Sequence, residues 1–295
     1  MSQAIGRHGA LFAIAAYLMW GFAPIYFKQL QAVGPIEVLV HRVVWSFLLL
    51  IVVILLAGRW HRVQQLFKQP KYLGLLTLSS MLIAGNWGLF IWAVANDLLL
   101  EASLGYYINP LFNVIVGMLF LGERLRKLQW GAVALATVGV LIPLIKLGTL
   151  PWVALTLASS FCLYGLIRKK IPVDALTGLL LETALLLPLA LAYWWQLDST
   201  TSDLMANGTT MNILLLSAGA VTTVPLLCFA AAAQRMPLST LGFFQYIGPS
   251  CMFILAIAIY GETLQWDRLV TFGFIWAGLA LFTFDGFRAK TRKVT

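Results

Sequence analysis

The chain has 295 residues, of which 61% are hydrophobic and 11% charged, and its formal net charge is +9. Soluble domains carry about 25% charged residues, so this composition excludes an ordinary soluble globular protein. Apolar runs of about 18 or more residues recur along the whole length, and each could cross a hydrocarbon core of about 30 Å as a helix. The composition therefore predicts an all-α, multi-pass membrane protein, with the lipid bilayer as its main partner.

The apolar runs predict ten transmembrane helices. In chain order they are 9–27, 36–57, 72–95, 102–121, 128–145, 151–167, 175–195, 211–233, 238–260 and 268–287. Short polar turns separate them, and the longest polar loop, "DSTTSDLMANGTT", follows the seventh.

The basic residues predict the orientation, because Lys and Arg accumulate in cytoplasmic loops. With the N-terminus in the cytoplasm, the inside segments hold Arg7, Arg59, Arg62, Lys68, Lys71, Arg124, Arg126, Lys127, Arg168, Lys169, Lys170, Arg235, Arg288, Lys290, Arg292 and Lys293. The outside loops hold only Lys28, Lys146 and Arg268. This bias predicts an even number of spans with both termini in the cytoplasm. It also explains the basic charge without a nucleic-acid partner.

A repeated phrase divides the chain into halves. "NPLFNVIVGMLFLGE" at 109–123 is echoed by "GPSCMFILAIAIYGE" at 248–262, with proline second and Gly-Glu last in both. The echo predicts two five-helix repeats, 1–147 and 148–295. Because five is odd, the second repeat must be inverted relative to the first. Inverted repeats are typical of alternating-access transporters, which bind substrate near mid-membrane at the repeat interface.

Several phrases spread along the chain carry a family resemblance. They are "AYLMWGFAPIYFK", "HRVVWSF", "NWGLFIWAV", "EASLGYYINPL", "LGERLRKLQW", "RKKIPV" and "STLGFFQYIGP". In this order they resemble the EamA family of the drug/metabolite transporter superfamily, in its RarD type. The resemblance implies ten helices, a location in the cell inner membrane, and transport of small metabolites, amino acids or drugs, with export as the favoured direction. It does not identify the substrate.

Two prolines and two charges lie at depth in the predicted spans. Pro110 and Pro249 fall near mid-membrane in spans 4 and 9, where proline breaks backbone hydrogen bonding, so both are candidate hinges at a cavity or simple packing kinks. Arg42 in span 2 and Glu182 in span 7 are costly in lipid and therefore predicted to face a cavity. Arg42 would bind an anionic substrate group, and Glu182 would bind an amine or exchange a proton. The alternative is that they snorkel or form a fixed structural pair.

Polar and aromatic residues at similar depth complete the predicted substrate site, although each one alone could equally serve packing. With the two charges, the set is Trp20, Arg42, Asn86, Trp92, Tyr106, Tyr107, Asn109, Asn113, Tyr164, Glu182, Thr223, Phe244, Gln245 and Tyr246. Thr222 adjoins this set, and Glu37 and His41 are predicted to lie at its outer rim.

Other features are interpreted as structural. Gly122 and Gly261 are predicted to cap the ends of spans 4 and 9, which places Glu123 and Glu262 in the interface. Small residues in spans 5 and 10 predict close helix packing in a scaffold or at a homodimer face. The three cysteines lie inside apolar runs without metal spacing, so no metal and no cofactor is predicted.

Other function classes have weaker support in the sequence. None of the three histidines lies at mid-membrane, and His-Glu-x-x-His and Gly-x-Ser-x-Gly are missing from the sequence, so it is not predicted to be an enzyme. No nucleotide-binding loop is present, which leaves a proton gradient or exchange as the driving force. The alternative function is a structural or regulatory membrane subunit without transport activity. Such a subunit would not need two inverted halves.

Overall fold

The structure, a computed structural model, describes residues 2–96, 98–261 and 263–291. Within these ranges the regular secondary structure is helical. The helices are α1 (Ser2–Lys28), α2 (Pro35–Leu56), α3 (Trp60–Phe67), α4 (Pro70–Ala95), α5 (Leu99–Leu121), α6 (Lys127–Leu147), α7 (Trp152–Lys170), α8 (Ala175–Gln196), α9 (Thr209–Arg235), α10 (Leu238–Gln245), α11 (Ile247–Ala258) and α12 (Trp266–Thr291). Glu262, Arg292 and Lys293, which the sequence analysis used, lie outside the described residues.

Nine helical segments of the described chain are long and apolar enough to cross a membrane, with α10 and α11 together forming one of them. The multi-pass, all-helical membrane character predicted from composition is therefore confirmed. A helix also occupies the position of the sixth predicted span. This helix, α7, falls outside the nine because its 19 residues include hydroxyl side chains and end on three basic residues.

Local sequence explains where several helices start and stop. Pro35 and Pro70 open α2 and α4, where the missing N–H of proline costs nothing. Asp174 caps α8, because its side chain accepts a hydrogen bond from the backbone N–H of Thr177 at 3.1 Å. At the end of α5, Gly122 adopts φ +65°, a left-handed conformation that favours glycine, as predicted for this Gly-Glu pair.

One predicted span is interrupted and one segment holds an unpredicted helix. The ninth span breaks at Tyr246 between α10 and α11. The cause is Pro249, whose ring cannot pack against the carbonyl of Gln245 four residues earlier. By contrast, α5 runs unbroken through Pro110. The polar segment after α2 contains the short helix α3, which buries Val63 and Leu66 and exposes its polar residues.

Helices distant in sequence pack closely in the bundle. Helix α1 packs against α9, α10 and α11, and helix α7 packs against α4 and α5. Helix α2 packs against α8 and α9, and α4 packs against α8. A Cβ added to Gly219 of α9 would lie 2.5 Å from the carbonyl carbon of Trp45 of α2, so only glycine allows this approach of two backbones.

The small residues of α6 and α12 form one contact within the chain. Added Cβ atoms at Gly139 and Gly278 would each lie 2.9 Å from a carbonyl oxygen of the facing helix, that of Thr271 or Ala132 respectively. These are the spans that the sequence analysis assigned to a scaffold or a dimer face. Their small residues serve packing between α6 and α12, and the homodimer stays a prediction.

The bundle has two distinct ends. At one end, here called the basic end, Arg62 contacts Asp174, Lys170 lies over the Phe120 ring and Arg126 pairs with Asp285. At the other end, called the distal end, Lys28 lies 3.9 Å from the centre of the Tyr260 ring and Lys146 pairs with Asp267. Arg62, Lys170 and Arg126, which were predicted to be cytoplasmic, therefore lie at one end.

Candidate substrate site

Arg42 lies on the inner side of α2, half-buried, in a polar and aromatic setting. Its Nε donates a hydrogen bond to the hydroxyl of Thr222 on α9 at 2.9 Å. Its guanidinium carbon lies 4.5 Å from the centre of the Trp87 ring and 5.6 Å from that of Phe27. Aromatic faces attract a cation through their quadrupole, so these rings help to hold the charge at this depth.

Two tyrosines complete this group, which we call the Arg42 cluster: Tyr26, Phe27, Arg42, Trp87, Tyr106 and Thr222. The phenols of Tyr26 and Tyr106 are near enough to interact electrostatically with the guanidinium. Among the described residues, Arg42 has no carboxylate partner. Arg42, Tyr106 and Thr222 were predicted from the sequence, whereas Tyr26, Phe27 and Trp87 were not. These three lie in two of the family-like phrases, but they look like ordinary apolar or interfacial residues.

Glu182 lies in a second, enclosed group. Its carboxylate accepts hydrogen bonds from the hydroxyls of Ser79 on α4 and Tyr164 on α7, the latter at 3.5 Å. Arg168 Nη1 lies 3.8 Å from Glu182 Oε1. These four residues form the Glu182 cluster, and the sequence analysis named only Glu182 and Tyr164 for the site.

The position of Arg168 corrects its assignment to a cytoplasmic loop. The helix α7 continues to Lys170, three residues past the predicted end of the sixth span, and the Arg168 side chain is 0% exposed. Its guanidinium packs against Gly178, where an added Cβ would lie 1.9 Å from Nη1. Pairing with Glu182 compensates the charge and so allows the helix to extend. The signal for this buried pair that was available in the sequence was Gly178, one helical turn before Glu182.

Helices α5 and α10 cross at the centre of the bundle, where several predicted residues meet. An added Cβ at Gly242 would lie 2.8 Å from the carbonyl oxygen of Pro110. The Asn113 amide donates to Gln245 Oε1 at 3.0 Å. The hydroxyl of Tyr246 donates to the Tyr107 carbonyl at 3.2 Å. These contacts tie the two helices together.

The other predicted site residues lie apart from both clusters. Asn86 on α4 donates to the Leu157 carbonyl and the Ser160 hydroxyl of α7, and Trp20 packs on Phe161 and Phe229. Trp92 packs against Trp152, with ring centres 5.5 Å apart. Four more predicted residues lie in the packed interior. Asn109 and Thr223 are buried with side-chain oxygens that have no hydrogen-bond partner among the described residues, and Phe244 and Pro249 pack against neighbouring helices.

The two residues predicted at the outer rim of the site are buried at the distal end. Glu37 was predicted at the outer rim of the site, but it is 2% exposed. The loop after α8 folds over it, and its carboxylate accepts hydrogen bonds from the hydroxyls of Ser199 at 2.7 Å and Thr201 at 2.8 Å. His41, also predicted at the rim, is 0% exposed and accepts a hydrogen bond from Trp45.

At the basic end, Glu123 joins the end of α5 to the start of α10. Its carboxylate accepts hydrogen bonds from the backbone N–H groups of Leu238 at 2.6 Å and Ser239 at 2.9 Å, and from the Ser239 hydroxyl at 2.6 Å. Glu123 thus caps the N-terminus of α10 from the end of α5. Gly117 makes this possible, because an added Cβ there would lie 2.7 Å from the Glu123 carboxylate.

Comparisons with known proteins agree with the motifs. A family model described as the EamA-like transporter family matches residues 7–145. A protein named "Uncharacterized transporter" from Vibrio cholerae is 57% identical over 288 residues, covering 97% of this chain and 95% of that protein. Protein RarD of Escherichia coli is 53% identical over 287 residues, covering 97% of each chain. The chain belongs to the EamA-like transporter family.

Membership in the EamA-like transporter family confirms the predicted resemblance, including its RarD type. A solved crystal structure with 18% identity superposes with a TM-score of 0.73, covering 92% of this chain and 96% of the other. At this identity the likeness shows the fold alone. Within the described residues, the Arg42 cluster, the Glu182 cluster and the α5–α10 crossing lie between packed helices of this bundle.

Proposed function

We propose that the protein is a secondary transporter that exports small amphipathic solutes, among them metabolites, amino acids or drugs, across the cell inner membrane by alternating access. It has both termini in the cytoplasm, so that the basic end is cytoplasmic. Its two inverted halves are residues 1–147 and 148–295, and the family model, which matches 7–145, spans nearly the whole first half.

The pattern of helix contacts supports the inverted repeat. If the halves are exchanged, α1 becomes α7, α2 becomes α8, α4 becomes α9, and α5 becomes α10 with α11. The packing of α1 on α9 then corresponds to that of α7 on α4, and α1 on α10 and α11 to α7 on α5. The contact of α2 with α9 likewise corresponds to that of α8 with α4. A bundle without internal symmetry has no reason to repeat its contacts in this way.

Arg42 and Glu182, the two charges at depth, also occupy equivalent positions in the two halves. The helices α2 and α8 both have 22 residues, and Arg42 and Glu182 are each the eighth residue of their helix. In the proposed inverted arrangement they lie at similar depths from opposite surfaces. Substrate would meet Arg42 from one side of the membrane and, after the conformational change, the Glu182 cluster from the other.

The helix contacts further support an outward-facing conformation. Helix α5 packs along α10 in the cytoplasmic half, but within the described residues α11 is not among its close neighbours. Glu123 closes the basic end, whereas Tyr106 is 40% exposed on the distal side of the α5–α10 crossing. In our proposal the break at Tyr246 and the bend permitted by Pro110 serve as hinges between this state and its inverted counterpart.

The observation that favours a binding role is the unpaired charge of Arg42. A guanidinium does not deprotonate at any working pH, and a charge at this depth usually has a partner. Within the described chain Arg42 has only a neutral hydroxyl and aromatic rings. A substrate carboxylate or phosphate would supply the missing anion, and Trp87, Phe27 and Tyr106 would contact its apolar part. Glu182 would then receive the amine of a zwitterion, or a proton, when its cluster opens.

Transport by the purified protein tests the proposal. A thermal-shift screen against metabolites and drugs first identifies a solute, because ligands that bind the folded state raise its stability. Flux of that solute is then measured in proteoliposomes for the wild type, Arg42→Lys and the exposed control Arg124→Lys. We expect Arg42→Lys to lower flux by about tenfold or more, since it loses the bidentate fork. Wild-type flux in a well-folded Arg42→Ala protein would exclude this site.

A further inference from the structure

A second concave site lies at the basic end, away from the Arg42 cluster. It is a crevice of about 600 Å³ between α3 and the turn that joins α7 to α8, and the end of α9 closes it. Its volume is in the range of small-molecule sites, about 300–1,000 Å³. The proposed transport cycle makes no use of this crevice.

The crevice has both polar and apolar lining residues. Helix α3 contributes Arg62 and Gln65, the turn after it contributes Gln69, and the opposite wall contributes Lys169 and Gln234. The apolar lining consists of Leu66, Ile171, Pro172 and Val173. Such a lining suits a ligand that carries negative charge and several hydrogen-bonding oxygens beside an apolar part.

The charges around the crevice do not balance. Asp174 is its one acid, with side-chain oxygens 3.7 Å from Arg59 and 3.3 Å from Arg62. Both arginines keep more than two fifths of their side-chain surface exposed, so each has donors left for a ligand. Lys169 adds a third positive charge; its ammonium donates hydrogen bonds to the backbone carbonyls of Ala233 and Met236 and also interacts electrostatically with Glu123. An anion would therefore enter a site with surplus positive charge.

Hydrogen-bonding groups in the crevice are also unused. The side-chain amides of Gln65 and Gln69 make no hydrogen bond within the described part of the chain. The Gln234 amide, by contrast, donates a hydrogen bond to the Val173 carbonyl at 2.6 Å. Both free amides line the crevice, Gln65 from α3 beside Arg62 and Gln69 from the turn that follows α3. A phosphate ester offers the matching set, with charged oxygens for the cations and ester or hydroxyl oxygens for the amides.

We infer that this crevice binds a phosphate-bearing ligand, with Arg62 and Lys169 on the phosphate group and Gln65 and Gln69 on the adjoining oxygens. The ligand is either the head group of an anionic phospholipid or a soluble phosphate ester. Helix α3 favours access from the membrane surface, because its Trp60 and Phe67 are 42% and 62% exposed beside the crevice. Aromatic side chains of this kind are common at the level of lipid head groups.

The test measures both sources on delipidated protein in detergent. Native mass spectrometry compares retention of phosphatidylglycerol with that of phosphatidylcholine, and thermal unfolding is followed with glycerol 3-phosphate or inorganic phosphate at constant ionic strength. The variants are Arg62→Gln and Gln65→Ala, and Lys68→Gln is the control because it removes one charge from the same segment without lining the crevice. Arg62→Gln should weaken binding about tenfold, the usual loss for one charge-assisted hydrogen bond, and Lys68→Gln should leave it unchanged.

Each result supports or overturns the inference. Selective retention of phosphatidylglycerol with this variant pattern supports a lipid head group, and stabilisation by glycerol 3-phosphate with the same pattern supports a soluble ester. Gln65→Ala, which alters no charge, guards against misfolding of Arg62→Gln. If neither ligand binds, or if Lys68→Gln weakens binding as much as Arg62→Gln, the crevice is not a phosphate site and only diffuse charge attracts anions.

Discussion

Arg168 and Glu182 form an ion pair inside the bundle, with 3.8 Å between Nη1 and Oε1 and side chains that are 0% and 2% exposed. The pair joins the end of α7 to the middle of α8. Hydroxyls of Ser79 and Tyr164 add hydrogen bonds to the carboxylate. Ser79, Tyr164 and Arg168 therefore hold the Glu182 carboxylate in this conformation. Replacing Glu182 should affect stability as well as transport.

We predict that Glu182→Gln destabilises the protein. Removing one partner of a buried pair leaves an uncompensated charge and typically costs about 3–5 kcal/mol. Adding Arg168→Met should restore much of the loss, since the buried charge is then gone while glutamine still accepts from the hydroxyls. Thermal unfolding in detergent measures both, with exposed Lys170→Met as the control. An unchanged unfolding midpoint in Glu182→Gln would contradict the pair's stabilising role.

We predict that Glu123 controls opening of the basic end. Glu123→Ala removes the cap of α10, so the state closed at this end should lose about 1 kcal/mol relative to the open one. In a cysteine-free background, a cysteine replacing buried Leu241 should then react faster with a membrane-impermeant maleimide added from the basic side. Glu123→Gln, which keeps one acceptor oxygen, should have an intermediate effect. Equal labelling rates in all three proteins would argue against a closing role.

We predict an orientation with the basic end in the cytoplasm. Met205, in the loop after α8, is 95% exposed, and Lys127, at the start of α6, is exposed at the other end. An impermeant thiol reagent applied to intact cells should label a cysteine at position 205 and spare one at 127. Permeabilised cells, in which both should react, provide the control. The opposite labelling pattern would invert the proposed topology.

We predict a pH-dependent contribution from Asp174. Burial opposes its ionisation, but hydrogen bonds from Thr177 and Arg62 more than offset this and lower the pKa of the carboxyl below its usual value. Because the folded-state pKa is depressed, the contribution is present above the unfolded pKa of about 3.9 and is lost as pH falls through the folded value.

Two substitutions separate the roles of Asp174. Asp174→Ala should lose the cap, at about 1 kcal/mol, whereas Asp174→Asn should keep the cap and lose only the contact with the arginines. The test compares the unfolding midpoints of the wild type and both variants at neutral pH and at a pH below about 4. The advantage of the wild type over Asp174→Asn should shrink at acid pH. An advantage that grows there would contradict the depressed pKa.

The sequence predicted the class of the protein and the position of its helices. The apolar runs placed the long helices within a few residues, and the spread motifs led to the EamA-like family. Pro249 predicted a disturbance in the ninth span, and the chain does break one turn earlier, at Tyr246. These features depend on local composition and on backbone chemistry, which are written in neighbouring residues.

The choice of partners required the tertiary structure. Arg42 and Glu182 were singled out as costly charges, but the sequence did not indicate that Thr222, 180 residues away, bonds the first or that Arg168 pairs with the second. Arg168 in particular looked like one more loop charge. Likewise, Glu123 was predicted to lie in the interface beside the glycine cap of its own helix, but it caps α10, 115 residues further along.

The sequence did not predict these partners because of the solvent that surrounds the helices. In a water-soluble helix the apolar stripe marks the buried face. In a bilayer, lipid is as apolar as the protein interior, so the hydrophobic pattern does not tell which face of a helix meets lipid and which meets another helix. The sequence by itself determined that the helices span the membrane and that the ninth span is interrupted near Pro249. Only the packing of distant helices decided that Arg42 has no carboxylate partner among the described residues while Glu182 is enclosed with Arg168.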